Sequence, residues 1–231
     1  MIIAVDGPAG AGKGTLAKRL ASHYGMVYLD TGALYRATGV AVLKNGGSPE
    51  DPEAATQAAR NLNFDFRNTG DGAYHAFIDG QDVDKKLRTP EASQAASQVS
   101  AIPAVREALK QFQLDFISKH RPKDGALLDG RDIGTVICPD ADLKFFLEAD
   151  ARVRAERRFK QLQDQGKDAD FDTVYADTVS RDARDRGRKD APMKPAQDAM
   201  IIDTSKMAAD EVFEHIKALI DDAQGDIWST A

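Results

Sequence analysis

The chain is poor in sulfur and has no long apolar run. Its single cysteine, Cys138, excludes an internal disulfide and reads as a small buried hydrophobe, not a reactive thiol. No stretch approaches the roughly 18 apolar residues of a membrane span. The apolar start from Ile2 to Val5 is too short for the core of a signal peptide and reads as a strand, so the expected compartment is the cytoplasm. Basic residues are not in excess either: 31 Lys and Arg against 37 Asp and Glu leave a formal charge of −6. That balance argues against nucleic acid or an acidic membrane as a partner, and any polyanion bound must be small and locally held. Internal repeats and heptads are absent. A chain of 231 residues with 42% hydrophobic content suffices for one α/β domain with insertions, with no reason for two independent cores.

What is present begins at the first residue. Met1 to Thr15 read MIIAVDGPAGAGKGT, an apolar strand that stops at Asp6 and opens into a glycine-rich turn followed by a helix. Gly7, Pro8, Ala9, Gly10, Ala11, Gly12 and Lys13 fit G-x-x-x-x-G-K. Such a loop wraps backbone N–H groups around a phosphate at a helix N-terminus, and its lysine brings a point charge to the β- and γ-phosphates. Residues 7 to 15 are therefore the expected ATP contacts. Position 14 is Gly and the hydroxyl falls at Thr15, so the loop is not expected to ligate Mg²⁺ directly. A plain glycine-rich βα turn is the weaker reading, because strand, loop, lysine and helix all agree.

Further along, Leu16, Leu20 and Tyr24 recur at helical spacing up to Gly25, and Val27 to Leu29 form a second strand. It ends in DTGALYR (30–36), where Asp30 or Thr31 caps a new helix and Arg36 lies one turn in. A polar connection over 44–52 leads to a helix at 53–60. Residues 63–84 alternate as an antiparallel hairpin or three-stranded insertion, with a turn at 68–72 and His75 facing solvent. Residues 90–100 are helix-prone, and Pro103 starts an amphipathic helix with Arg106 beside its apolar stripe. Strands are predicted at 126–128, 143–147 and 200–203. Ala151 to Leu162 forms a helix with Arg152, Arg154, Arg157 and Arg158 at its surface. A flap at 163–172 follows, then a helix that places Arg181, Arg184, Asp185 and Arg188 on one face. The last helix carries Val212, Ile216, Leu219 and Ile220, and the tail after Gly225 is expected to be loose. Five short strands alternating with helices imply a parallel sheet covered on both faces.

Arg36, Arg106, Arg131, Arg181 and Arg188 join Lys13 at strand ends, helix starts or a shared helical face. A donor nucleotide and an acceptor phosphate together bring about six negative charges. Phosphoryl transfer between them needs cations on both partners, for which the planar guanidinium is suited. For the helix at 181–188 taken alone, i,i+4 pairs between Asp182 and Arg186 and between Arg181 and Asp185 on a solvated surface are the commoner explanation. Asp129, after an apolar strand, is a weak metal-site signal that a plain helix cap would also explain.

GPAGAGKGT (7–15), LDTGALYR (29–36), AASQVSAIPAVREAL (95–109), LDGRDIGTVICPDA (128–141) and RDARDRGR (181–188) together resemble bacterial cytidylate (CMP) kinases in order and spacing. The likeness covers most of the chain. It implies a P-loop kinase fold: a five-stranded parallel sheet flanked by helices, a monophosphate-binding insertion at about 31–102 with a small antiparallel sheet, and a short lid at about 156–172. The core would then be about 1–30, 103–155 and 173–231 of a single domain. It further implies transfer of the γ-phosphoryl of MgATP to CMP or dCMP by a monomer. Arg36 and Arg131, with Thr31 where many relatives have Ser, would hold the acceptor phosphate. Ser97, Arg106 and Asp132 would read cytosine; Arg181 and Asp185 would contact the ribose, with Arg188 bridging to the base. Cytosine offers an N4 amine donor with O2 and N3 acceptors, which suits that donor and acceptor set. Lys13, Arg131 and a lid arginine, one of Arg154, Arg157 and Arg158 with Arg157 as the first candidate, would act on the transferring group. Thr15 and Asp129 would reach Mg²⁺ only through water. A kinase for another acceptor would share the loop and arginines without the cytosine readers; a P-loop switch would carry an N-K-x-D-like motif, which is missing.

Overall fold

The computed structural model describes residues 1–69 and 74–229, those at 68 and 224–229 by their backbone alone. The turn expected at 68–72 therefore lies largely outside the described residues. Five strands form one all-parallel sheet: β1 (Ile2–Asp6), β2 (Val27–Asp30), β6 (Ala126–Gly130), β7 (Leu143–Glu148) and β8 (Met200–Asp203), in the order β2-β6-β1-β7-β8. The register runs Asp6 beside Gly130 and Phe146, and Asp30 beside Asp129. Every residue of β1 and β6 is buried, which is why these segments read as unbroken apolar runs: helices cover both faces of a parallel sheet.

Those helices begin where the sequence supplies caps. α1 (Lys13–Tyr24) stops at Gly25, whose φ of 65° is left-handed. α2 (Thr31–Lys44) is capped by the Asp30 carboxylate, which accepts from the Ala33 N–H at 3.1 Å. Thr31, the other candidate, instead donates its hydroxyl to the Asp129 carbonyl at 2.7 Å. α3 (Pro52–Arg60), α5 (Pro90–Val99) and α6 (Pro103–His120) each open on proline, whose missing N–H costs nothing at that position.

The insertion is three-stranded, β3 (Phe64–Asn68), β4 (Tyr74–Ile78) and β5 (Gln81–Asp82), all antiparallel. It leans on the core through aromatic rings, with Phe66 and Tyr74 at 5.6 and 5.3 Å from Tyr28 of β2. His75 is partly exposed and pairs with Asp82 at 2.6 Å. A single-turn helix, α4 (Asp84–Leu87), follows.

On the far side, α7 (Ala151–Asp164) and α8 (Phe171–Arg186) flank the flap, and α9 (Ala209–Ser229) closes the chain. α9 runs past Gly225, where a loose tail was expected; an interior glycine costs a helix only about 1 kcal/mol. One further element carries no sequence signal, a π-helical turn at Ile133–Ile137 just after β6. Cys138 is buried as expected, but its Sγ also lies 3.3 Å from an Asp140 oxygen.

Leu128, fully buried in β6 between Ala4 and Leu29, tests this core. Leu128→Ala should destabilise the protein by about 2–5 kcal/mol. The measurement is the denaturant midpoint, and the slope of unfolding should not change.

Candidate active site

The carboxyl ends of β1, β2 and β6 open on a cavity of about 260 Å³, the place where open parallel sheets hold ligands. The phosphate loop forms one wall. Gly7 has a φ of 141°, and a Cβ there would sit 2.1 Å from the Leu147 carbonyl oxygen, so only glycine lets the loop lie against β7. Gly12, at φ 91°, is the N-cap of α1 and has no side chain to satisfy the first amides of that helix; they remain for a ligand.

Lys13 lies 5% exposed with its Nζ donating to the Pro8 carbonyl at 2.8 Å. Burial pushes its pKa down to about 7, and the nearby Arg131 guanidinium pushes the same way. Burial, then Arg131, likewise holds Arg181 down at about 10. The cavity therefore holds more positive charge than its own carboxylates offset, which is the state expected of a polyanion site.

The carboxylates have specific tasks. Asp30 pairs with Arg36 at 2.6 Å, and Asp185 receives Arg131 Nε at 3.1 Å and also Arg188. Asp132 pairs with Arg106. Asp129 accepts the Tyr28 hydroxyl at 2.7 Å, and its pKa is raised by burial and by Asp30. Asp6, at the end of β1, is raised to about 7 by burial while accepting two backbone N–H groups, those of Ile133 and Gly134.

Of the residues singled out in the sequence, Lys13, Thr31, Arg36, Arg106, Arg131, Asp132, Arg181, Asp185 and Arg188 all line this one cavity, with Ala9, Gly10 and Gly14 of the loop. The Nε atoms of Arg36 and Arg181 are buried without a hydrogen-bond partner among the described residues. Thr15 lies at the adjoining mouth, with Lys18 and Arg88. Ser97 is buried just behind the wall, its hydroxyl also unpartnered, while Ser93, Ala96 and Ser100 of the same segment face the space. Ser100 accepts from Arg188 at 2.8 Å.

Several expectations change. Arg157 is not in the cavity: its guanidinium donates to the Thr204 carbonyl at 2.6 Å, because Thr204 follows β8 on the outer side of the phosphate loop and accepts it there. The arginine of α7 that does line the cavity is Arg158, bonded to Gln161. Arg154 is buried, not surface-facing. Its fork is satisfied by Asp182 and by the carbonyls of Ala9 and Ala149, at 3.1 and 2.9 Å. The solvated pairs considered for 181–188 are replaced: across the fold Asp182 goes to Arg154 and Asp185 to Arg131, and Asp185 also meets its near neighbour Arg188. Arg184 is exposed, and α8 ends before Arg188. Tyr35 and Arg88 were not picked out beforehand. For Tyr35 the signal was there, one residue before Arg36 in a cavity-facing helix.

The glycine-rich loop, the parallel sheet with its central β1 and the cation-lined cavity define a P-loop kinase. Comparison is more specific. The family model for cytidylate kinase matches residues 3–222, and the chain belongs to that family. It is 49% identical over 212 residues to a cytidylate kinase of Paramagnetospirillum magneticum, covering 92% of this chain and 93% of that one. A cytidylate kinase of Rhodospirillum rubrum is 50% identical over 213 residues, covering 91% and 92%. Among solved structures, an uncharacterized protein from Eubacterium ventriosum superimposes with a TM-score of 0.51 at 16% identity, over 96% of this chain and 98% of that chain. That likeness concerns the fold alone.

The depressed Lys13 pKa has a measurable consequence. Near pH 8 the free ammonium is mostly deprotonated, and a bound triphosphate favours its charged form, so binding should take up a proton. Calorimetric titration with ATP in two buffers of different ionisation enthalpy should show that uptake, and Lys13→Met should abolish it.

Proposed function

We propose that the protein transfers the γ-phosphoryl group of MgATP to CMP or dCMP. An oxygen of the acceptor phosphate attacks the γ-phosphorus as the bond to the ADP oxygen breaks, giving ADP and CDP or dCDP. The observation that carries this reading is the buried Lys13 and the half-buried arginines converging on one cavity beside the phosphate loop, in a chain of the cytidylate kinase family. No general base is required, because the attacking group is already an anion; positioning and electrostatics supply the rate.

Lys13 and the free amides of α1 would hold the donor phosphates. Arg36 and Arg131 would take the acceptor phosphate between them, with Thr31 beside Gly130 at its floor. Arg106 and Asp132, already paired and only slightly exposed, present one donor and one acceptor to a base edge, which suits cytosine. Arg181, Asp185 and Arg188 would hold the sugar. In the lid, taken as about 156–172, Arg158 is better placed than Arg157 to approach the transferring group. The insertion at about 31–102 would move with the acceptor, the remaining core staying fixed.

Mg²⁺ fits this donor set in its usual way. The described residues contain no cluster of three acidic, His or Cys side chains. A cation that keeps most of its waters needs only substrate phosphates and one or two carboxylates. Asp129, buried 3.4 Å from where a Cβ on Gly14 would lie, and Thr15 would hold those waters. Bound with ATP, the ion neutralises charge on the β- and γ-phosphates. No helix among the described residues is long and apolar enough to cross a membrane. The enzyme is proposed to be monomeric and cytoplasmic.

The deciding experiment compares acceptors. Asp132→Asn adds a donor where the cytosine amine would donate, so the CMP-over-UMP ratio of kcat/KM should fall by roughly one to two decades, chiefly by losing CMP. Arg36→Ala should depress both acceptors about equally, since both carry the same phosphate. Equal losses in Asp132→Asn would refute the assignment of that residue to the base. Lys13→Ala should lower turnover at least ~10²-fold with the fold intact. Amide exchange in 31–102 and in the flap should slow when both nucleotides are bound.

A further inference from the structure

Asp6 is a buried carboxylate at the carboxyl end of β1, close behind the cavity, to which the mechanism assigns no task. It ends β1, immediately before the phosphate loop, and is 4% exposed. Its Oδ1 accepts the Ile133 N–H at 2.9 Å and its Oδ2 the Gly134 N–H at 2.8 Å. Those two amides open the π-helical turn, the irregular element that directly follows Arg131 and Asp132.

The turn has little else to fix it on that side. Asp132 is its N-cap, with φ −147° and ψ 22°, and its side chain makes no capping bond because it is turned to Arg106. A carboxylate from the neighbouring strand supplies the cap instead. The Asp132 carbonyl accepts from Val136 at 2.9 Å and Ile137 at 3.2 Å, so the turn is held from within on one side and by Asp6 on the other. Gly134 fits closely: a Cβ there would lie 3.1 Å from Lys144 Cδ and 3.5 Å from Asp6 Oδ2.

We infer that Asp6 is a positioning residue for acceptor recognition, its two-pronged grip on Ile133 and Gly134 setting the backbone from which Asp132 reaches the acceptor base. The residue that introduces the donor loop thereby also fixes the acceptor reader. Among the described residues no other side chain accepts from these two amides, and a carboxylate gives each of them its own oxygen, where an amide would have to serve both with one.

The inference rests on the reading of Asp132 as a base contact, and the test keeps the two apart. Asp6→Asn preserves the shape but turns one acceptor into a donor facing an N–H. The CMP-over-UMP ratio of kcat/KM should fall about tenfold, through a higher KM for CMP, while the KM for ATP changes less than twofold. In a background of Asp132→Asn, adding Asp6→Asn should leave the ratio where that single variant put it, because the two act through one route. Amide exchange at Ile133 and Gly134 in the folded Asp6→Asn protein should speed up more than at β1, a readout that does not depend on activity. If Asp6→Asn lowers stability and turnover with the ratio intact, or leaves those two amides equally protected, Asp6 is a structural residue only and the inference is overturned. If Asp132→Asn alone leaves the ratio unchanged, it is the base-contact reading that fails.

Discussion

Repulsion among buried cations is the constraint around which this structure is arranged. Lys13, Arg36, Arg131, Arg181 and Arg188 share one cavity, and the effect is visible in the groups themselves: burial and Arg131 hold both Lys13 and Arg181 below their ordinary range. Charges this close in a shielded space are costly unless matched. The fold supplies partial matches. Asp30, Asp132 and Asp185 each hold one or two arginines in a fixed orientation, leaving Lys13 and the Nε atoms of Arg36 and Arg181 for an incoming anion. A nucleotide pair would complete the neutralisation, and its phosphates would meet cations already placed.

That arrangement explains why rigid and adjustable parts are joined as they are. Strands β1 and β6 are fully buried and β2 pairs along β6, so the turns after them share a common base. Arg154 then ties the Ala9 carbonyl of the phosphate loop to Asp182 on α8. The antiparallel sheet of the insertion touches the core through Tyr28, whose hydroxyl ends on Asp129. The aromatic contact of the insertion and the polar floor of the donor site thus meet in one side chain.

The two faces of the site differ in how they are built. Around the phosphate loop backbone groups dominate, and glycines at 7, 10 and 12 are needed because a Cβ would clash or the φ is left-handed. Across the cavity arginine and aspartate side chains dominate, and several hold one another. Asp6, one strand away, caps the turn that follows Asp132.

Much of this was legible in the sequence. The strand, loop and helix at the start follow from apolar pattern and glycine placement; the parallel sheet follows from short apolar runs separated by helices; and the charged residues stood at the strand ends where the cavity lies. These features are local, and periodicity reports them. Pairing was not legible. The sequence offered Asp182 to Arg186 and Arg181 to Asp185 at helical spacing, yet Asp182 found Arg154, 28 positions away, and Asp185 found Arg131. Arg157 and Arg158 are neighbours with the same composition around them, and only the packing of Thr204 against the loop sends one outward and leaves the other in the cavity. The π-helical turn held by Asp6 has no sequence period at all. The sequence determined the elements and the charges they carry, since those depend on neighbours along the chain; the tertiary structure decided which charge meets which, because that depends on distances the chain order does not encode.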